Sequence, residues 1–189
     1  GLSNVVELVA TGDPGAHWAL KADGSVVGWS PTAFAYFTAP SNNSVQPVKG
    51  IGGAGALTGV THLVSGVGTV AALMSDGRVV TWGFGRKALG GGPDAPTNRL
   101  YPDYVLGPDL QPITDVVALW AGADGYVAQQ VDGTILQWGQ RECAGLHWAN
   151  DPAAESDVAL PPGNWPSDVV QWESAGWIGL ARLADGSVL

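Results

Sequence analysis

Residues able to do chemistry are few in this sequence and lie far apart. Three histidines (His17, His62 and His147) and one cysteine, Cys143, occur among 189 residues. Cys143 and His147 have the C-x-x-x-H spacing of half a zinc site, but no second pair of ligands follows at a suitable distance. The histidines also fall at unrelated positions of the repeat described below, so they do not form a ring of equivalent ligands. We therefore predict no bound metal and no cofactor.

Patterns for nucleophilic and phosphate chemistry are also missing. The sequence contains no G-x-S-x-G nucleophile elbow. The glycine-rich stretches 50–55 and 90–92 do not continue into G-K-[ST], which a phosphate-binding loop requires, so we interpret them as loops between strands. Nothing indicates the two carboxylates facing one cleft that a glycosidase needs. The sequence therefore predicts no catalytic residues and a protein that is not an enzyme.

The charge balance restricts the class of partner. Lys and Arg number 8 against 17 Asp and Glu, which gives a formal net charge of −9. Nucleic-acid binding depends on neutralising phosphates with basic side chains, so this balance argues against a nucleic-acid partner and against an acidic membrane surface. No run of 18 apolar residues occurs, so we predict no membrane insertion. A basic protein partner is compatible with this charge, but a net charge of −9 is also typical of a protein whose charge serves solubility.

An internal repeat supplies the elements that must position any binding residue. Four Asp-Gly pairs recur, and their successive Asp positions differ by 53, 56 and 53 residues. Matching Trp, Ala and Val columns at fixed distances from these pairs indicate a repeat architecture. The columns are Asp23, Asp76, Asp132 and Asp185; Trp29, Trp82 and Trp138; Ala19, Ala72, Ala128 and Ala181; and Val60, Val116 and Val169, with Val5 two residues further upstream.

Each copy has the pattern of short strands joined by tight turns. In the second copy, residues 60–64 and 71–74 read as strands. Asp76-Gly77 predicts a type I′ hairpin into a third strand that ends at Trp82. A further strand is expected before each copy, at 45–48, 104–106 and 158–160. Four strands per unit is typical of a β-propeller blade, and the Trp column is expected to pack between adjacent blades.

The repeat resembles that of the regulator of chromosome condensation family. The pattern V-x-x-(V/L)-x-(A/S)-G, then A-x-x-x-D-G, then x-V-x-x-W-G, is best matched by residues 60–83 and 116–139. The first copy departs from it, because Trp29 is followed by Ser30 rather than Gly. The repeat predicts an all-β fold, a partial β-propeller of about four four-stranded blades with the last incomplete, and the resemblance implies that these blades belong to a seven-bladed ring. The predicted repeats are 1–45, 46–102, 103–157 and 158–189.

Two long insertions follow the Trp column in consecutive copies, at 84–103 and 140–157, so we expect them on one face of the propeller. Loops on a rigid scaffold commonly carry recognition. We therefore predict a non-catalytic protein-binding or structural module that binds through these two rim loops. Further blades, from the same or another chain, are a second kind of partner. The predicted contact residues are Arg86, Lys87, Arg99 and Tyr101 in the first loop and Arg141, His147 and Trp148 in the second.

Two other functions stay open at this stage. The low content of charged residues, 13%, is compatible with a building block of a particle or surface appendage. An axial pocket of a propeller could instead serve a carbohydrate-active enzyme or a lectin. The bias towards Gly, Ser and Thr with few Lys favours an extracellular, cell-surface or particle-associated location.

Overall fold

The chain folds into consecutive antiparallel sheets, each a simple meander. The computed structural model describes residues 2–11, 15–30, 44–85, 87–123, 125–139, 156–160, 168–175 and 178–188. Within these residues, three sheets have four strands and one sheet has two. The chain is thus a partial β-propeller, as predicted, and two strands of its fourth sheet lie within the described residues.

The blades follow one another along the sequence. Blade 1 contains β1 (Val5–Ala10), β2 (His17–Lys21), β3 (Val26–Trp29) and β4 (Gln46–Pro47). Blade 2 contains β5 (Val60–Ser65), β6 (Thr69–Met74), β7 (Val79–Phe84) and β8 (Asn98–Tyr104). Blade 3 contains β9 (Val116–Ala121), β10 (Gly125–Gln130), β11 (Ile135–Gly139) and β12 (Ser156–Leu160). Blade 4 contains β13 (Val169–Ala175) and β14 (Ile178–Leu183).

Two short 3₁₀ helices accompany the strands, η1 (Ile51–Gly53) and η2 (Lys87–Leu89). Among the described residues, no helix is long and apolar enough to cross a membrane.

The fourth strand of each complete blade pairs differently from the sequence expectation. It was expected to begin the copy that follows it, but β4, β8 and β12 each pair with the third strand of the preceding hairpin. In blade 2 this strand also begins earlier than the predicted 104–106, at Asn98. Pro102 lies within β8, which is allowed because an outermost strand has one edge without ladder hydrogen bonds. Because β8 contains this proline and several exposed residues, the sequence pattern did not predict the full strand.

The Asp-Gly pairs form hairpins, but not of type I′. In all four, the glycine N–H donates to the carbonyl three residues earlier, at 2.9 to 3.0 Å. Only the glycine has a positive φ, between 77° and 89°, whereas a type I′ turn needs positive φ at both central residues. The pattern is that of a type I turn followed by a left-handed glycine. The aspartate favours it because its Oδ1 accepts the N–H of the residue two positions later, at 2.8 to 3.1 Å.

The same glycines also join neighbouring blades. Val60 N, at the start of blade 2, donates to Gly24 O of blade 1 at 3.1 Å, and Val116 N donates to Gly77 O at 3.0 Å. A Cβ on Gly77 would lie 3.0 Å from Asp115 N, so the approach of the two blades leaves little room for a side chain. The Asp-Gly column therefore determines both the hairpin and the contact with the next blade.

Indole rings lie between the blades, as predicted for the Trp column. Trp82 is fully buried and meets Trp18 of blade 1 edge to face, with ring centroids 6.3 Å apart. Trp138 is 1% exposed and packs in the apolar cluster shared by blades 2 and 3. Trp29 is only partly buried and stacks on His17 at 5.5 Å. The seams between blades 1 and 2 and between blades 2 and 3 thus each contain a buried tryptophan from the column.

Candidate protein-interaction rim

Strand direction separates the loops into two rims. The turns between first and second strands share one end of the blades with the connections between third and fourth strands, and we call this end the upper rim. The Asp-Gly hairpins lie at the opposite end, the lower rim. Both predicted loops start from a third strand, so both belong to the upper rim. Val67 N donates to Ala123 O there, which joins the upper-rim turns of blades 2 and 3.

The first predicted loop is a tightly packed connector. The last part of the predicted loop 84–103 belongs to strand β8, so the connection between β7 and β8 consists of residues 85–97. Within it, η2 buries Ala88 and Leu89, which are 2% and 0% exposed. The indole Nε1 of Trp138, in blade 3, donates to Ala88 O at 3.1 Å. The connector of blade 2 is therefore attached to blade 3 as well as to its own strands.

Arg99, predicted as a contact residue, lies inside this connector rather than on its surface. It is 7% exposed, and burial lowers the pKa of its guanidinium. One terminal nitrogen, Nη1, lies 3.1 to 3.2 Å from four oxygens: Thr81 Oγ1 and the carbonyls of Leu89, Asp103 and Tyr104. These contacts hold the end of η2 against β7 and β8. Arg99 stabilises the rim from within.

The remaining contact candidates occupy different places. Tyr101 is 39% exposed and its ring covers Gly53, where a Cβ would lie 2.9 Å from Tyr101 Cε2. Lys87 begins η2 and is partly buried. Because Arg99 is buried, these three residues do not form the exposed contact surface that the sequence predicted. Four candidates lie outside the described residues, namely Arg86, Arg141, His147 and Trp148.

Phe84 and Val67 are exposed apolar residues of the upper rim that the sequence analysis did not assign. Phe84, at the end of β7, is 58% exposed, and Val67, in the turn after β5, is 45% exposed. The two segments are joined because Phe84 N donates to Gly68 O at 2.8 Å. The available signal was the aromatic residue directly after Trp82-Gly83, where the third copy has Gln140 after Trp138-Gly139. An exposed aromatic on a well-packed support is a common form of binding anchor.

The recurring carboxylates of the lower rim serve the turns. Hydrogen bonds from the residue two positions later lower the pKa of Asp23, Asp76, Asp132 and Asp185. Asp76 also pairs with Arg78, whose Nε donates to Oδ2 at 2.8 Å. A group used in this way is held in its charged form and is a poor general acid. The structure confirms that the recurrence of these aspartates reflects turn chemistry.

The histidines do not form a metal centre in the part of the chain that is described. No cluster of three or more His, Cys, Asp or Glu side chains occurs among those residues. His17 stacks on Trp29, and His62 Nδ1 lies 2.7 Å from Glu7 Oε1. Cys143 and His147, the half-site suggested by spacing, lie outside the described residues.

Comparison with known proteins agrees with this geometry. No family model matches the chain. It is 25% identical over 169 residues to a Mus musculus "RCC1-like G exchanging factor-like protein", covering 83% of this chain and 34% of the relative. The chain thus spans about a third of that relative's length.

Two solved structures share the fold. Human WBSCR16 matches with a TM-score of 0.67 and 21% identity, over 90% of this chain and 42% of its own. Prp20p from Saccharomyces cerevisiae, whose structure was described together with its binding to Gsp1p and histones, matches with a TM-score of 0.70 and 18% identity, over 97% and 44%. The blades, the Asp-Gly hairpins and the buried Trp column, together with these likenesses, show that the chain is a β-propeller segment whose fold is similar to that of RCC1-like proteins.

Proposed function

We propose that this chain is a non-catalytic protein-binding module whose contact surface is the upper rim. The observation that carries the proposal is the exposed ring of Phe84, 58% accessible, at the start of a connector whose next turn is buried. Binding at a preformed surface costs less conformational entropy than binding by a loop that must become ordered. The buried Arg99 and the Trp138–Ala88 hydrogen bond provide that rigidity.

The class of partner is argued from charge and from the relatives. Carboxylates exceed basic residues by 17 to 8, which favours a basic protein. Prp20p was described with its binding to Gsp1p and to histones, so these two proteins are the probes for this chain. Histone binding driven by charge should weaken strongly as salt is raised, whereas binding through an apolar anchor should depend on Phe84.

The test is a titration of the purified chain with Gsp1p and with histones by isothermal calorimetry. Phe84→Ala should weaken binding about tenfold or more if Phe84 is an anchor. The control is Val131→Ala, since Val131 is 73% exposed on the lower rim, and it should leave affinity within about twofold. Loss of binding in the Val131 variant alone would place the contact on the lower rim and contradict the proposal. Absence of binding to both probes would contradict the proposed partner class.

Guanine-nucleotide exchange is a second candidate function, favoured by the name of the mouse relative. Exchange needs a protein contact that distorts a nucleotide site on the partner and no covalent chemistry on this chain. It is tested by adding the chain to a G protein loaded with fluorescent GDP. A release rate increased tenfold or more supports exchange, whereas binding without faster release supports a scaffold role. The roles of particle building block and of carbohydrate-active enzyme or lectin, and the extracellular, cell-surface or particle-associated location, stay predictions.

A further inference from the structure

One carboxylate joins the innermost strands of blades 1 and 2 through two hydrogen bonds. Glu7 lies on β1, and its Oε1 is 2.7 Å from Nδ1 of His62 on β5. Its Oε2 accepts the backbone N–H of Leu63, also at 2.7 Å. Both carboxylate oxygens of Glu7 thus connect blade 1 to blade 2. One donor, the imidazole of His62, titrates, and the other, the backbone N–H of Leu63, does not.

The position of this pair is set by a bulge that recurs in every blade. The register of each innermost strand shifts just after its column valine, and Glu7 and His62 are the first paired residues after the bulge. The equivalent residues of blades 3 and 4 are Ala118 and Gln171, which carry no charge. The Glu7–His62 ion pair joins two blades, whereas the Lys21–Asp23 and Arg78–Asp76 ion pairs each lie within an Asp-Gly hairpin.

Of the residues that His62 contacts, Glu7 is the charged one. His62 pairs with Leu73 of β6 in the sheet, and it contacts the backbone of Leu119 on β9. Neither contributes an ionisable side chain. The hydrogen bond to Glu7 raises the pKa of His62 above its usual value, and this outweighs the effect of partial burial.

We propose that Glu7 and His62 form a pH-sensitive latch on the seam between blades 1 and 2. The latch is strongest when the imidazole is protonated and Glu7 is charged. Because the pKa of folded His62 lies above that of the unfolded chain, this stabilisation is complete below about pH 6.5 as long as Glu7 stays charged, and it is lost as the pH rises through the folded-state pKa. Above the folded-state pKa of His62, Glu7 keeps its hydrogen bonds to the neutral imidazole and to the N–H of Leu63, but the attraction between opposite charges is lost. This inference does not depend on the function proposed for the upper rim.

The first experiment is an NMR titration of the histidine ring protons in the whole chain. The His62 midpoint should lie above pH 6.5 and should move down towards that value in Glu7→Gln, which keeps the side-chain volume and removes the charge. His17, which stacks on Trp29 in blade 1, is the internal reference, and its resonance should not respond to the substitution. A His62 midpoint at or below 6.5 in the unmodified chain overturns the proposal, and that result needs no variant to fold.

The second experiment measures the seam itself by amide hydrogen exchange at Leu63. After correction for the intrinsic pH dependence of exchange, its opening constant should rise about threefold to tenfold between pH 6 and pH 8. In His62→Gln, which retains a donor for Glu7 but does not titrate, this rise should disappear. The same rise in the Gln variant would show that another group controls the seam and would overturn the latch.

Discussion

Replacing Trp82 with Ala tests directly whether the seams between blades hold the propeller together. Trp82 is fully buried and contacts Trp18 of the preceding blade. Burial of an indole removes about 150–250 Å² from water, which at about 25 cal/mol per Å² is a transfer free energy of about 4–6 kcal/mol. Part of this is retained by Ala and part is recovered by relaxation of the cavity. We therefore expect the free energy of unfolding to fall by about 3–5 kcal/mol.

The measurement is urea unfolding followed by far-ultraviolet circular dichroism, so that the signal does not depend on the tryptophan that has been removed. The matched control is Trp29→Ala, which lies in the same column but is only partly buried against His17. Its loss should be about 1–2 kcal/mol, because less apolar area leaves water on folding. A loss below about 1 kcal/mol for Trp82→Ala, or equal losses for the two variants, would refute the argument that the seam is the main store of stability.

Three further substitutions test the connector and the hairpins by the same unfolding assay. Trp138→Phe keeps an aromatic ring in the seam between blades 2 and 3 but leaves the carbonyl of Ala88 without its indole donor, so it should cost about 1–3 kcal/mol; a neutral result would mean that the bond contributes nothing. Arg99→Met should cost about 2–3 kcal/mol and make 85–97 the first site of proteolysis, whereas an unchanged cleavage pattern would contradict its role in the connector. Gly77→Ala should cost about 1–2 kcal/mol, since its φ of +77° is unfavourable for a residue with a Cβ; full stability would refute that strain.

The candidate site was only partly predictable, and Arg99 shows why. In the sequence it is one basic residue in a charged, proline-containing segment, which is typical of an exposed loop. Its burial depends on the carbonyls of Asp103 and Tyr104 and on Thr81, 18 residues away, converging on one nitrogen. Convergence of backbone carbonyls has no signature in residue types. Phe84 begins the predicted rim loop but was not assigned as a contact residue, because residue type alone does not show whether an apolar side chain at the end of a strand is exposed.

The sequence by itself determined the repeat, the hairpin corners and the faces of the sheets. These depend on local chemistry: a glycine that adopts positive φ, an aspartate that accepts a nearby N–H, and the alternation of apolar residues along a strand. The tertiary structure decided which copy each outermost strand joins, that Arg99 turns inwards, and that Glu7 reaches His62 across 55 residues of sequence. Such contacts arise only when whole blades stack, because packing of one sheet on the next brings together groups that local patterns leave independent.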